Sequence, residues 1–567
     1  MKNMKNIQKA VVAVGLCLGF VSCNDFFEVY PLNEIVLEKY YTEENDIKSV
    51  VNSCYAGMEN PDFINRVAAW GEIRSDNLSE GSGVANDETQ VLRENILPNT
   101  KYADWSSIYT VINRCNIVLY YAPLVYERDP NYTESEMRAN IAEVKAIRAL
   151  CYFYLVRTFR NVPFVVDASI DDKQMYKVPA SSFDVILDYL IADLESVRED
   201  AVRKYPLEVD NTSRFTRYSI SALLADLYLW KGDYDNCVAH CDRVIDFKKE
   251  HYEEELELQG YSLDIALFND IPLIQEQRTG ATWSGNSTSQ IFGEGNSFES
   301  IFELNYVDDQ SQANTYVSNY YGSSSTTIGQ FSATPFLYEN AATGANTLFK
   351  RTDCRYLGFM TASGTLYGIS KYAASMVQFN TPTATGTTAP TVSSSRRSQN
   401  FANWIVYRLS DIVLMKAEAL VQQAGTNAAD STFDATSHMQ TALRLVSATY
   451  NRANNLGKNS ADTLKYSEHA ATIATMESLV LAERQRELMF EGKRWFDLLR
   501  MARRQGNNQE LINHVIKKQK SNTNAIRIRL TSIDGLYFPY SEKELKLNPE
   551  LKQNPAYKTD ETSSITE

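Results

Sequence analysis

Apolar residues recur three and four places apart over most of the first 250 residues and again beyond residue 404, the spacing of helices that bury one face. Thr42, followed by Glu43 and Glu44, opens the first, and Ile47, Val50, Val51, Cys54, Tyr55 and Met58 form its stripe. Trp105, Ile108, Tyr109, Ile112, Cys115 and Leu119 mark a second. A third runs from Thr133 to Arg160, where Pro163 in NVPF forbids continuation. A fourth spans about 183–197.

Two stretches then read as helical pairs. Ile220, Leu223, Leu224, Leu227 and Tyr228 precede a turn at Gly232-Asp233, and Tyr234, Cys237, Val238, Cys241 and Val244 follow it. YRLSDIVLMKAEALVQQAG turns Leu409, Ile412, Val413, Ala417 and Leu420 inward, with a partner from about Phe433 to Asn454. Both pairs have the proportions of a tetratricopeptide unit, two antiparallel helices that must bury their face on the next pair. From Ala482 to Arg503 two more helical patterns meet at Gly492. There Glu483, Glu487, Glu491, Arg494, Asp497 and Arg500 alternate with Leu488, Phe490, Trp495 and Phe496. With large rings on both flanks, these charges are expected to be partly buried and paired rather than solvated.

Between about 250 and 403 the periodicity fades into Gly, Ser, Thr, Asn and aromatic residues. SFESIFELNY alternates like a strand, whereas Ser311 to Gln330 and Thr381 to Arg397 read as exposed loops. Two further strands are expected at Ala525 to Leu530 and Gly535 to Pro539. The fold class that emerges is predominantly α: a tetratricopeptide-like scaffold (about 37–250 and 404–520) around a loop-rich lobe (about 251–403) with a few short strands. Stacked repeats share cores, so 23–567 is expected to be a single composite domain despite its length.

The first 22 residues have another purpose. Lys2, Lys5 and Lys9 precede the 12-residue apolar run AVVAVGLCLGFV and then Ser22-Cys23, the layout of a secretory signal peptide too short to span a bilayer. FVSC resembles a bacterial lipobox, with Phe20 in place of the usual Leu, so Cys23 is the expected lipidation site. Of the remaining mature cysteines, Cys237 and Cys241 are four apart with His240 between, yet no second ligand pair is near, and neither a metal nor a cofactor is expected. A net charge of -15, with bases interleaved among acids, argues against nucleic acid as a partner. The 34 Tyr, 24 Phe and 6 Trp supply surfaces with an apolar face and a polar edge, which suit both helix packing and polyhydroxylated ligands.

Four blocks carry a family resemblance: AEVKAIRALCYFYLVRTFRNVPFV, RLSDIVLMKAEAL, AERQRELMFEGKRWFDLLRMAR and LYFPYSEKELKLNPELKQNPAY. In this order they resemble the SusD/RagB family, surface lipoproteins that capture nutrients at Bacteroidetes-type outer membranes. The resemblance implies a non-catalytic lipoprotein, anchored in the cell outer membrane and facing the exterior. It would bind oligosaccharide, starch and other glycans included, or peptide, and act as a lid on a SusC-like TonB-dependent transporter.

Carbohydrate recognition needs flat rings against sugar faces and planar polar groups for hydroxyls. The candidate ligand contacts are Trp70, Arg74, Asp76 and Asn77 in one polar loop, Trp283 in TGATWSGN, and Tyr320 and Tyr321 in SNYYGSS, each with ordinary packing as the competing role; Arg74 and Asp76 could equally pair with each other. Three rings each covering about 60 Å² would contribute roughly 4.5 kcal/mol before association costs, so isolated affinity is expected to be weak. Two other classes stay open. An extracellular glycoside hydrolase would need two carboxylates roughly 5 to 10 Å apart in a cleft, and no motif selects such a pair. A tetratricopeptide adaptor would bind no small ligand at all.

Overall fold

A computed structural model describes residues 40–170, 176–259, 264–279, 282–284, 286–307, 313–323, 325, 327–338, 348–350, 353–380, 391–397, 401–454 and 464–558. Cys23 and the expected signal segment lie outside the described residues.

The first block includes α1 (Glu44–Glu59), α2 (Pro61–Trp70), α3 (Ser106–Tyr126), α4 (Glu134–Phe159), α5 (Phe183–Glu195), α6 (Arg217–Lys231) and α7 (Tyr234–Gln259). The second includes α8 (Leu409–Thr426), α9 (Ala435–Asn454), α10 (Ile473–Leu488), α11 (Arg494–Gln505) and α12 (Gln509–Val515). The chain is predominantly helical, as its periodicity predicts. Local signals set the ends. Thr133 and Glu136 cap α4 reciprocally, and Gly232, at φ 81°, ends α6 in the left-handed conformation that lets α7 fold back on it. Helix α3 packs on α1 and α4, α6 on α7, and α8 on α9 and α10, while α7 against α8 joins the two blocks. Their apolar faces merge into one cluster that extends from Tyr41 to Leu551.

The lobe between the blocks is held by short antiparallel strands. Ser300–Leu304 pairs with Trp404–Arg408, which leads directly into α8. Four strands, in the order 391–396, 374–380, 282–284 and 277–279, make the largest sheet. The expected strand in SFESIFELNY is therefore present, but four other expectations need correction. Within Ser311 to Gln330, residues 315–321 wind into a helical segment that buries Tyr316, Val317, Tyr320 and Tyr321. Within Thr381 to Arg397, residues 391–396 are a paired strand rather than a loop. Thr523–Thr531 is helical, not extended: Ile526 and Leu530, one helical turn apart, are buried, whereas Ile528 is 77% exposed, so the alternation of AIRIRL does not report a buried strand face. Gly535, likewise expected in a strand, lies in a 3-10 turn over Ile533–Leu536.

Candidate functional site

The expected polar loop from Trp70 to Asn77 is a buried turn at the end of α2. Trp70 is 1% exposed, donates its ring N–H to the Tyr102 carbonyl at 2.9 Å and meets Phe159 edge to face. Arg74 forks onto Glu94 (Nη2 to Oε2, 2.7 Å), donates to the Leu536 and Gly535 carbonyls, and lies 4.1 Å over the Trp495 ring. It therefore does not pair with Asp76. Asn77 donates to Glu72 Oε1 at 2.7 Å and accepts from Gln485 at 2.8 Å, while the Phe490 N–H also donates to Glu72 Oε1. The Asn77 amide thus links this turn to α10, and Glu72 links it to the turn between α10 and α11.

The other expected contacts fare similarly. Tyr320 is 4% exposed, stacked on Phe331, with its hydroxyl on Glu88 Oε1 at 3.0 Å beside Lys101. Tyr321 is fully buried and donates to the Phe490 carbonyl at 2.9 Å. The backbone of Trp283 pairs with Phe379, and its side chain lies outside the described residues. A ring sealed in a core offers no face to a sugar, so Trp70, Tyr320 and Tyr321 are framework, and so are Arg74 and Asn77.

Asp76 is the exception, because it also borders a cleft. Arg494 holds its two oxygens at 2.8 and 3.1 Å, and His514 Nδ1 lies 2.9 Å from Oδ2. Burial by itself would raise this carboxyl, but the Arg494 guanidinium and His514 outweigh it and hold the group well below the usual carboxylate range. The cleft above encloses about 610 Å³. Phe336, Leu348 and Leu481 form its apolar wall, and Gln485, His514 and Lys517 supply an amide, an imidazole and an ammonium. Many hydrogen-bonding groups against one apolar wall suit a polyhydroxylated ligand. A general acid would need a raised carboxyl, and Asp76 is held the opposite way.

The charges of the 482–503 stretch go further inward than expected. Glu487 accepts from Arg355 (2.9 Å), Arg408 (2.8 Å) and Arg452. Glu491 accepts from Lys371 (2.6 Å) and Arg408 (2.8 Å), and Glu483 from Arg355 (2.8 Å) and Arg486 (2.7 Å). On the far side, Arg500 bridges Asp497 and Glu418, with Arg484 also on Asp497 and Arg504 also on Glu418. All six charged residues singled out in the sequence are buried. Burial penalises the Glu487 carboxylate, yet the three guanidinium groups still hold it well below its ordinary value. Periodicity could not reveal the bases, since Arg355 and Lys371 come from the lobe and Arg408 from the strand before α8.

Comparison with known proteins gives a consistent picture. Residues 298–557 match the model of the SusD family. SusD-like protein P38 of Formosa agariphila is 23% identical over 513 residues, covering 88% of this chain and 92% of that one. A putative sugar binding protein from Bacteroides vulgatus ATCC 8482 shares the fold at TM-score 0.61 and 21% identity, over 91% of this chain and 99% of that one. A laminarin binding SusD-like protein aligns at TM-score 0.57 and 20% identity, over 91% of this chain and all (100%) of that one. The order of sequence blocks, the helical scaffold with its strand-bearing lobe and these matches agree: residues 298–557 match the SusD family, and the chain is similar to SusD-like proteins along most of its length.

Proposed function

We propose that the mature protein, lipidated at Cys23, sits on the outer face of an outer membrane, binds oligosaccharide nutrients without cleaving them and passes them to a SusC-like TonB-dependent transporter. The observation that carries this reading is the fold shared along nearly the whole chain with proteins described as sugar binding and laminarin binding. The Asp76 cleft supports it, with planar polar groups converging on one apolar wall. So does the state of the carboxylates: Asp76, which borders the cleft, is held ionised by Arg494 and His514, whereas the nearby raised carboxyl, Glu72, is fully buried and does not line it. No helix among the described residues is long and apolar enough to cross a membrane, so membrane attachment in this reading depends on the acyl chains at Cys23.

The test is co-isolation from detergent-solubilised membranes of the native host. The lipidated chain should bring a TonB-dependent transporter with it, and growth on the bound glycan should fail when the chain is deleted. Isolation without any transporter, together with unimpaired growth, would refute the delivery role.

A further inference from the structure

A second cleft, lined by none of the candidate ligand contacts, lies where α7 meets the lobe and encloses about 360 Å³. One face of α7 lines it: Val244, Phe247, Lys248, His251 and Glu255, spaced three and four apart. Four rings run through it nearly parallel. Tyr218 stacks on Phe247 at 3.7 Å and 13°, Phe247 faces His251 at 6.4 Å and 6°, and His251 faces Phe298 at 5.4 Å and 8°. All four are half-buried.

Lys248 is the unusual member. It is 6% exposed, and its ammonium donates to the carbonyls of Phe298 at 2.6 Å and Ser300 at 2.8 Å. An ammonium has three protons. Among the described residues the third has no hydrogen-bond or ion-pair partner, only the Phe298 and Phe247 rings at 5.2 and 6.0 Å, and the side chain borders the cleft. Burial lowers Lys248 to about 8, which leaves it mostly protonated at neutral pH. A buried cation with an unused donor is costly in a site that only packs, where an apolar side chain would fill the space better. The acceptor it suits is an oxygen of a ligand.

The surroundings narrow the class. Asn211, Gln290 and Asn296 bring amides, and the half-buried rings bring apolar surface. Glu208, Glu255 and Asp264 border the opening against Lys204 and Lys248, so the lining is net negative and gives an anion no excess of positive charge. We propose that this cleft binds a neutral saccharide unit, with Lys248 donating to one of its oxygens and the ring ladder against its C–H surface. The proposal rests on the glycan-binding reading above and adds a site distinct from the Asp76 cleft. Two separated sites would let one chain hold two units of a long glycan, gaining avidity from weak individual contacts.

The test uses saturation-transfer NMR on the soluble chain from residue 24 onward, with glucose, galactose, mannose and xylose as probes and glucuronate as the charged comparison. Transfer to at least one neutral sugar is expected, weakened at least about tenfold by Lys248→Met and by Tyr218→Leu. The second change lies at the half-buried end of the ladder and keeps the test valid if Lys248→Met fails to fold. Lys517→Ala in the other cleft should leave the ring-cleft signal in place. Unchanged transfer in both cleft variants, a preference for glucuronate, or no transfer to any neutral sugar would overturn the proposal. Retained binding of a polysaccharide in the last case would leave the family reading standing, whereas its loss as well would remove both.

Discussion

Gly71 and Gly492 pass backbone to backbone: a methyl group on Gly71 would overlap the Gly492 carbonyl, and the Trp495 N–H donates to the Gly71 carbonyl at 2.8 Å. The turn after α2 and the turn before α11 are thus pressed together with no space for a side chain between them. Gly71→Ala must push the two turns apart, at a cost of about 3 kcal/mol or a failure to fold. At Gly492 the φ of 69° adds strain for any other residue, but the nearest atom to a new Cβ is 3.2 Å away, so Gly492→Ala should cost less, about 1 to 2 kcal/mol. Urea unfolding of both variants checks the order.

Removing Glu487 leaves Arg355, Arg408 and Arg452 short of a buried partner. Glu487→Ala should therefore destabilise by about 3 to 5 kcal/mol. Arg494→Ala should also lower the melting temperature, since it strands Asp76. At a temperature where both variants remain folded, Glu487→Ala should still bind glycan. Lost binding with unchanged stability would contradict the structural role given to this network.

Glu72 makes a pH prediction of opposite sign to the paired acids. Burial raises its carboxyl to about 7, and its Oε2 has no hydrogen-bond partner among the described residues. Since its folded value lies above the unfolded one, its contribution is complete below the ordinary carboxylate range and declines as pH rises toward 7. Glu72→Gln mimics the protonated acid and should remove that decline. Urea unfolding between pH 4.5 and 8 should show the native chain losing on the order of 3 kcal/mol relative to the variant as pH rises. Asp76, held low, acts the other way, adding stability at neutral pH that disappears only as pH falls through its depressed value.

Much of the scaffold was legible in the sequence because its signals are local. Thr133 and Glu136 cap α4, Pro163 follows its end, and Gly232 turns α6 into α7, all within a few residues. The candidate site was not legible for the same reason. Tyr320 and Tyr321 sit in a Gly- and Ser-rich stretch that reads as an exposed loop, but Glu88 and Phe490, far away in the chain, take their hydroxyls into the core. Asp76 was found by residue type, whereas its partners Arg494 and His514 come from α11 and α12. Lys248 left no trace, because one lysine on an otherwise ordinary helix looks like solvated surface until Phe298 and Ser300 close over it.

Lipidation has a direct test. Cys23→Ala should move the protein from the membrane fraction to the soluble one, with loss of labelled acyl-chain incorporation. If the variant stayed membrane-bound, another anchor would have to account for it.

The central claim is that this chain binds glycans and does not cut them. A glycan array probed with the folded soluble chain from residue 24 onward, with the bound glycans recovered and sized, tests it most directly. The account predicts weak binding to at least one glycan class, recovered at full length. An empty array, or shortened glycans whose release is lost on a single Asp or Glu change, would contradict it.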